Sequence, residues 1–271
     1  MSTTHTVTAP ALDAVRPGRH VCWIYDDDAT YVDVGAEILR AAAATGEKPV
    51  VFGPDRSATR AALAACAAMA ADPRVDFLGS GPLDPAAMYA MFHDETASAR
   101  REGFAGIRLV ADMDWLLPTE PTAADVVAFE LLLDRHAREL DATIVCAYRR
   151  TSFAPDVLEG ACCVHPFDTG AGEAPPFRLV AGDGGSWRLA GEVDIGSADP
   201  FAAAITTIAA ADPACRVDVS DLAFIDVHAM ATIARRAGDA DVHLTGASSI
   251  FRRSWQIAGF GTDAPRVRVD A

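Results

Sequence analysis

The chain has 271 residues, beyond the roughly 100–150 typical of one domain, which favours two modest domains over one large one. A hydrophobic share of 51% with 23% charged residues excludes intrinsic disorder and is ordinary for a packed globular protein. Lys and Arg number 23 against 38 Asp and Glu, a net charge of −15, which argues against a nucleic-acid backbone or an anionic membrane as partner.

No apolar run approaches the roughly 20 residues of a membrane span, and the first residues lack the basic-then-apolar order of a signal peptide, so a cytoplasmic location is expected. Cys22, Cys66, Cys146, Cys162, Cys163 and Cys215 include no CxxC pair and are expected to stay thiols.

In chain order, β-branched and aromatic runs predict strands over His20–Tyr25, Pro49–Phe52, Arg74–Leu78, Gly106–Trp115 and Ala142–Tyr148. Between them, helical patterns span Thr30–Thr45 (stopped by Gly46), Asp55–Ala71, Pro85–Arg101 and Thr122–Leu140. Strands alternating with helices predict an α/β fold with a mostly parallel sheet covered on both faces. The Gly, Pro and acidic stretch from His165 to Phe177 reads as a linker. Beyond it, Phe177–Ala181 and Ser186–Asp194 flank Gly182-Asp183-Gly184-Gly185 as a hairpin. Helices at Pro200–Ala211, Val227–Ala237 and Ser248–Ala258 then alternate with the strands CRVDVS and DVHLTG. The expected organisation is a tail over 1–13, a first domain over 14–167, a linker over 168–176 and a second domain over 177–271.

The second domain, through LAGEVDIGSADPF, VDVSDLAFIDVHAMATIARRA and VHLTGASSIFRRSWQIAGF, resembles a STAS domain, the fold of anti-sigma factor antagonists, over Phe177–Val269. The resemblance implies that the helix start Asp226, Val227, His228, Ala229 and Met230 docks an anti-sigma factor or serine-kinase-type regulator. Phosphorylatable members carry Ser or Thr where this chain has Val227, which cannot accept phosphate. Asp226 alone reads as a helix N-cap.

The first domain resembles a MEDS (DcmR-type sensory) domain. The resemblance rests on Pro17-Gly18-Arg19-His20-Val21-Cys22-Trp23-Ile24-Tyr25, Gly46-Glu47-Lys48, Asp112–Trp115, Cys146-Ala147-Tyr148 and His165-Pro166. It implies a RecA-like or KaiC-like α/β core without a nucleotide-binding loop and a sensory role, with the STAS-like domain passing the result to its partner to regulate transcription. The residues agree: where GxxxxGK[ST] would stand, the chain reads YDDDATYVDVG, so no ATP binding is expected. Asp112 and Asp114 sit where a Walker B carboxylate would, with helix capping or an arginine partner as the simpler role.

Strand alternation puts His20 and Cys22 on one face, and Cys146 and Tyr148 share a face of the fifth strand. If first and fifth strands are neighbours, His20, Cys22 and Cys146 converge, with Cys163 and His165 as additions, and soft donors of this kind suit a metal or haem. The expected ligand site comprises His20, Cys22, Tyr25, Asp112, Trp115, Cys146, Tyr148 and His165, for a small molecule, metal, haem or redox signal. Core packing of the same cysteines and histidine is the competing reading. Two other classes compete with a sensor: a cysteine-dependent enzyme using Cys22 with His20 or His165, and a ligand-free scaffold. The acidic surroundings disfavour the thiolate an enzyme would need, so no enzymatic activity is expected. A homo-oligomer is compatible with the sequence.

Overall fold

The computed structural model describes residues 15–54, 57–79, 84–238 and 240–271. The chain runs β1 (His20–Tyr25), α1 (Asp28–Thr45), β2 (Lys48–Phe52), α2 (Ala58–Ala64), β3 (Met69–Ala71), α3 (Pro85–Arg101), β4 (Ile107–Asp112), α4 (Ala123–Leu140), β5 (Thr143–Arg149), α5 (Pro155–Cys163) and β6 (Phe167–Thr169). It continues with β7 (Phe177–Ala181), β8 (Trp187–Val193), α6 (Ala198–Ala211), β9 (Ala214–Asp218), β10 (Leu222–Ile225), α7 (Val227–Arg236), β11 (Asp241–Thr245), α8 (Ser249–Ile257), α9 (Phe260–Asp263) and β12 (Val267–Val269). Two compact units result. The first holds residues up to Pro121, His136–Leu158 and Pro166–Glu173; the second holds Thr122–Arg135, Glu159–His165 and Ala174–Ala271. Among the described residues no helix is long and apolar enough to cross a membrane.

The first unit is built on a six-stranded sheet in the order β3-β2-β4-β5-β1-β6. Every pairing in it is parallel. One face packs Val21, Trp23 and Tyr25 of β1 against Tyr31, Val34 and Ile38 of α1 and Leu63 of α2. On the other face α3 brings Phe92 to 6.0 Å from Phe52. Strands this deeply buried read as the near-continuous apolar runs that made them visible in the sequence.

Local chemistry fixes the turns. Asp27 has extended backbone and its carboxylate accepts the Thr30 amide at 2.9 Å, which caps α1 and holds the Asp27 carboxyl below its ordinary range. Gly46 takes φ 70° and returns its amide to Ala42, a left-handed stop that favours glycine. Gly18, before β1, has φ +70°, and a Cβ there would collide with Asp141 Oδ1. Both glycines belong to the stretches that carried the sensory-domain resemblance.

Four element boundaries correct the sequence reading. Arg74–Leu78 is a π-helical turn, and the third strand is the shorter Met69–Ala71 before it. Asp72 accepts the Arg74 amide at 2.9 Å and Asp76 accepts the Asp72 amide at 2.7 Å, so local side-chain bonds override the alternation of Val75 and Phe77. The second helix covers only Ala58–Ala64, capped by Ser57; the expected starts Asp55 of that helix and Ala14 of the first domain lie outside the described residues. The fourth strand ends at Asp112, where a 3-10 segment, Met113–Thr119, begins. The sheet has a sixth strand, β6, at Phe167–Thr169, where the linker was read.

The second unit contains a mixed sheet in the order β10-β8-β9-β11-β12, with β7 antiparallel to β8. Its core gathers Trp187, Leu189, Phe201, Ile205, Val217, Met230, Ile233 and Trp255. Trp187 is held on three sides: Phe177 and Phe201 line the same core, Nε1 donates to Asp212 at 2.9 Å, and the Arg135 guanidinium lies 4.1 Å from its ring.

Candidate functional site

Parallel strands deliver their C-terminal ends to one edge of the sheet, and open α/β sheets bind ligands there. In the first unit that edge is polar. Tyr25 closes β1 and donates its phenol to Asp112 Oδ1 at 3.3 Å, while Thr59 donates to Asp112 Oδ2 at 3.4 Å. Asp112 also caps the following 3-10 turn by accepting the Asp114 amide at 3.2 Å. Arg149, the last residue of β5, reaches Asp114 Oδ2 at 3.3 Å, pairs with Asp28, and lies 5.2 Å from the centre of the Tyr25 ring. Ser152 donates to the same Asp114 oxygen at 3.2 Å. The acidic run after β1 is thus partly consumed: Asp27 caps α1, Asp28 pairs with Arg149, and Asp26 pairs with Arg150 at 2.7 Å.

Burial sets the protonation of these groups. Asp112 is 2% exposed, and desolvation, then the Asp114 charge, pushes its carboxyl up to about 6 despite the opposing Asp114 amide and Arg149. Burial, then Asp112, raises the phenols of Tyr25 and Tyr31, so both stay neutral. Desolvation opposes the Arg149 charge, but Asp28, Tyr25 and Asp114 outweigh it and keep the guanidinium protonated. Two buried polar atoms, Tyr31 Oη and Asp114 Oδ1, find no hydrogen-bond partner in the protein. Such atoms are uncommon in native structures and concentrate where function requires them.

Of the eight residues expected to form one pocket, His20, Cys22, Cys146 and Tyr148 share one face of the sheet, and Tyr25 and Asp112 share the other. His20 and Cys146 do meet: β1 and β5 are neighbours, and His20 Nε2 lies 3.4 Å from Cys146 Sγ, both fully buried. Cys22 is opposite Cys146 in the strand register and is fully buried; among the described residues, no cluster of three potential metal ligands includes it. Tyr148 packs its ring edge-on to Phe153 at 5.0 Å. Tyr25 points to the other face, where it joins Trp23 and Tyr31 at ring separations of 5.5 and 4.9 Å. Asp112 belongs to that face with it, and Trp115 is buried in the 3-10 segment that Asp112 caps. His165 falls in the second unit, its Nδ1 donating to Ala161 at 2.7 Å and its Nε2 3.5 Å from buried Glu130.

All six cysteines are thiols. Desolvation pushes Cys163 and Cys215 up to about 12, the state of structural rather than reactive cysteine. In the second unit Asp226 caps α7 by accepting the Ala229 amide at 2.7 Å. Val227 is 63% exposed and His228 is also exposed, whereas Ala229 and Met230 are buried, Met230 on the wall of a cavity that Phe224 and Ile250 also line.

Sequence reading missed Tyr31, Thr59, Asp114 as a pocket group, Arg149 and Ser152. Each comes from a different element, and only the strand order assembles them. No curated protein shows a significant match to the chain. The family described as "MEDS: MEthanogen/methylotroph, DcmR Sensory domain" matches residues 19–166, more than half of the chain and the span holding β1 to β5 with the polar edge just described. The chain belongs to the MEDS sensory-domain family.

Proposed function

We propose that this chain is a signalling protein whose first unit binds a small polar molecule at the C-terminal edge of its parallel sheet. The observation that carries the reading is the pair of unsatisfied buried atoms, Tyr31 Oη and Asp114 Oδ1, around the Asp112 carboxyl. A ligand offering a hydrogen-bond donor to Asp114 and a complementary group to Tyr31 removes two desolvation penalties of about 1–3 kcal/mol each. The sheet is read as a RecA-like or KaiC-like core adapted to this task, with Asp27 and Asp28 engaged where a phosphate loop would need open amides. Screening small amines, alcohols and amides by thermal shift should find a saturable rise in Tm that Tyr31→Phe and Asp114→Ala each abolish. Binding of equal strength to both variants would refute this site.

The second unit is read as STAS-like, passing the signal to an anti-sigma factor or serine-kinase-type partner that controls transcription. The family match stops at residue 166, so this part rests on the sequence resemblance and on the surface beside the α7 start. There Phe224, Val227 and Ile250 are 51%, 63% and 77% exposed, and Leu222, Phe224, Ile250 and Phe251 border a cavity of about 180 Å³. Exposed apolar side chains grouped this way mark interaction surfaces. A Val227→Lys or Phe224→Lys change in the full chain should weaken partner binding at least tenfold without changing Tm. Undiminished binding by both variants would place the interface elsewhere.

A further inference from the structure

We propose that His93, His136 and Glu139 form a binding site for a divalent transition-metal ion of the zinc class. His93 stands on α3, and His136 with Glu139 on the last turn of α4, all within the first unit. His93 Nε2 lies 3.2 Å from His136 Nδ1, and His136 Nδ1 lies 3.7 Å from Glu139 Oε2. One ligand atom from each residue falls within 4.8 Å of the other two.

The His–His separation is that of a coordination polyhedron's edge. Zinc–nitrogen bonds of about 2.0–2.1 Å in tetrahedral geometry place neighbouring ligand atoms roughly 3.3–3.4 Å apart. The His–His separation already lies near that edge, and a rotamer adjustment of half-exposed Glu139 closes the other two, 3.7 Å to His136 and within 4.8 Å to His93. His136 and Glu139 are three apart on one helix, the spacing that directs two ligands to the same side. Tyr89, one turn before His93, sets its ring 4.3 Å from the His136 imidazole and restrains it. Ligand orientation by a packed neighbour is what separates a prepared site from a chance pair of surface histidines.

Without a metal the two facing nitrogens make one hydrogen bond, whichever ring donates it. A bound ion takes the place of that hydrogen, and the donor ring moves its proton to the outer nitrogen. Two imidazoles and one carboxylate favour zinc, copper or nickel over magnesium or calcium, and solvent completes the shell. The site is reached from outside, His136 being 25% and Glu139 54% exposed, and its metal would clip the end of α4 to α3. This inference stands apart from the sensory reading.

The test is zinc titration of the chelator-treated full chain by calorimetry, with cobalt(II) as spectroscopic probe. One equivalent of zinc should bind, with affinity falling at least tenfold in His93→Gln and in Glu139→Gln. Cobalt should give tetrahedral visible bands without the near-ultraviolet charge transfer of a thiolate ligand. Both variants change exposed side chains, and an unaltered metal-free Tm verifies their folding. No zinc uptake by the wild type, unchanged affinity in both variants, or a thiolate band as the sole cobalt signature would each overturn the site.

Discussion

Replacing Arg108 with methionine should destabilise the first unit by about 3–5 kcal/mol, a large fraction of the roughly 5–15 kcal/mol that keeps most domains folded. Arg108 is 2% exposed on β4 and donates from Nε and Nη2 to Glu47 Oε2 at 2.9 and 2.6 Å. Its Nη1 donates to the Val15 carbonyl at 3.1 Å, and Thr143 on β5 donates to the other Glu47 oxygen. Methionine leaves the Glu47 carboxylate buried with no cation, and that uncompensated charge is the main cost. Removing both charges tests the cause: Glu47→Leu with Arg108→Met should recover most of the loss, because a packed apolar pair often replaces a buried ion pair without penalty. Denaturant unfolding of the single and double variants checks this. A double variant as unstable as the singles would mean that lost packing, rather than stranded charge, is responsible.

That pair shows where sequence reading stops. Glu47 is visible in the sequence only as part of Gly46-Glu47-Lys48, and Arg108 looks like an interruption of an apolar strand. Only the register of β2 on β4, with Lys48 opposite Ile107, brings them together at the sheet's N-terminal edge. Next to it Lys48 is buried between Glu95 and Glu102, at 2.7 and 3.0 Å. The strands themselves were legible because buried parallel strands are apolar runs bounded by turn residues, and four of the first unit's six, β1, β2, β4 and β5, lie at such a run. Arg74–Leu78 misled because Val75 and Phe77 alternate with polar residues while the hydrogen bonds of Asp72 and Asp76 wind the backbone into a turn. β10 and β12, of four and three residues, are too short to show a period.

The candidate site was legible in pieces. Two-residue alternation correctly set His20 beside Cys22, and neighbouring first and fifth strands correctly brought His20 to Cys146. The same alternation sets Tyr25 on the opposite face, where it meets Tyr31. The His136-Glu139 spacing is readable on a helix, but His93, 43 residues earlier, joins it only through the packing of α3 on the last turn of α4.

Replacing Asp112 with asparagine should stabilise the chain above pH 6 and leave it unchanged near pH 4. The carboxyl's folded-state value of about 6 lies above the ordinary value of 3.8, so the native state holds this proton more tightly than the unfolded chain does. Below about pH 4 both states are protonated and Asp112 carries no ionisation penalty. As pH rises from about 4 to 6 the unfolded state ionises first and stability falls; above about 6 the loss is complete, on the order of 3 kcal/mol. Asparagine keeps an oxygen for the Tyr25 hydroxyl and the Asp114 amide and presents an amide group to Thr59, so the neutral replacement fits the same bonds. Unfolding free energies of wild type and Asp112→Asn measured from pH 4 to 8 should therefore diverge with rising pH by about 1–3 kcal/mol in favour of the variant. The stabilised variant should at the same time lose affinity for a donor-bearing ligand, since the charge that destabilises the fold is the one a ligand would neutralise. A pH-independent loss of stability in Asp112→Asn would instead make Asp112 a structural cap for the Met113–Thr119 turn.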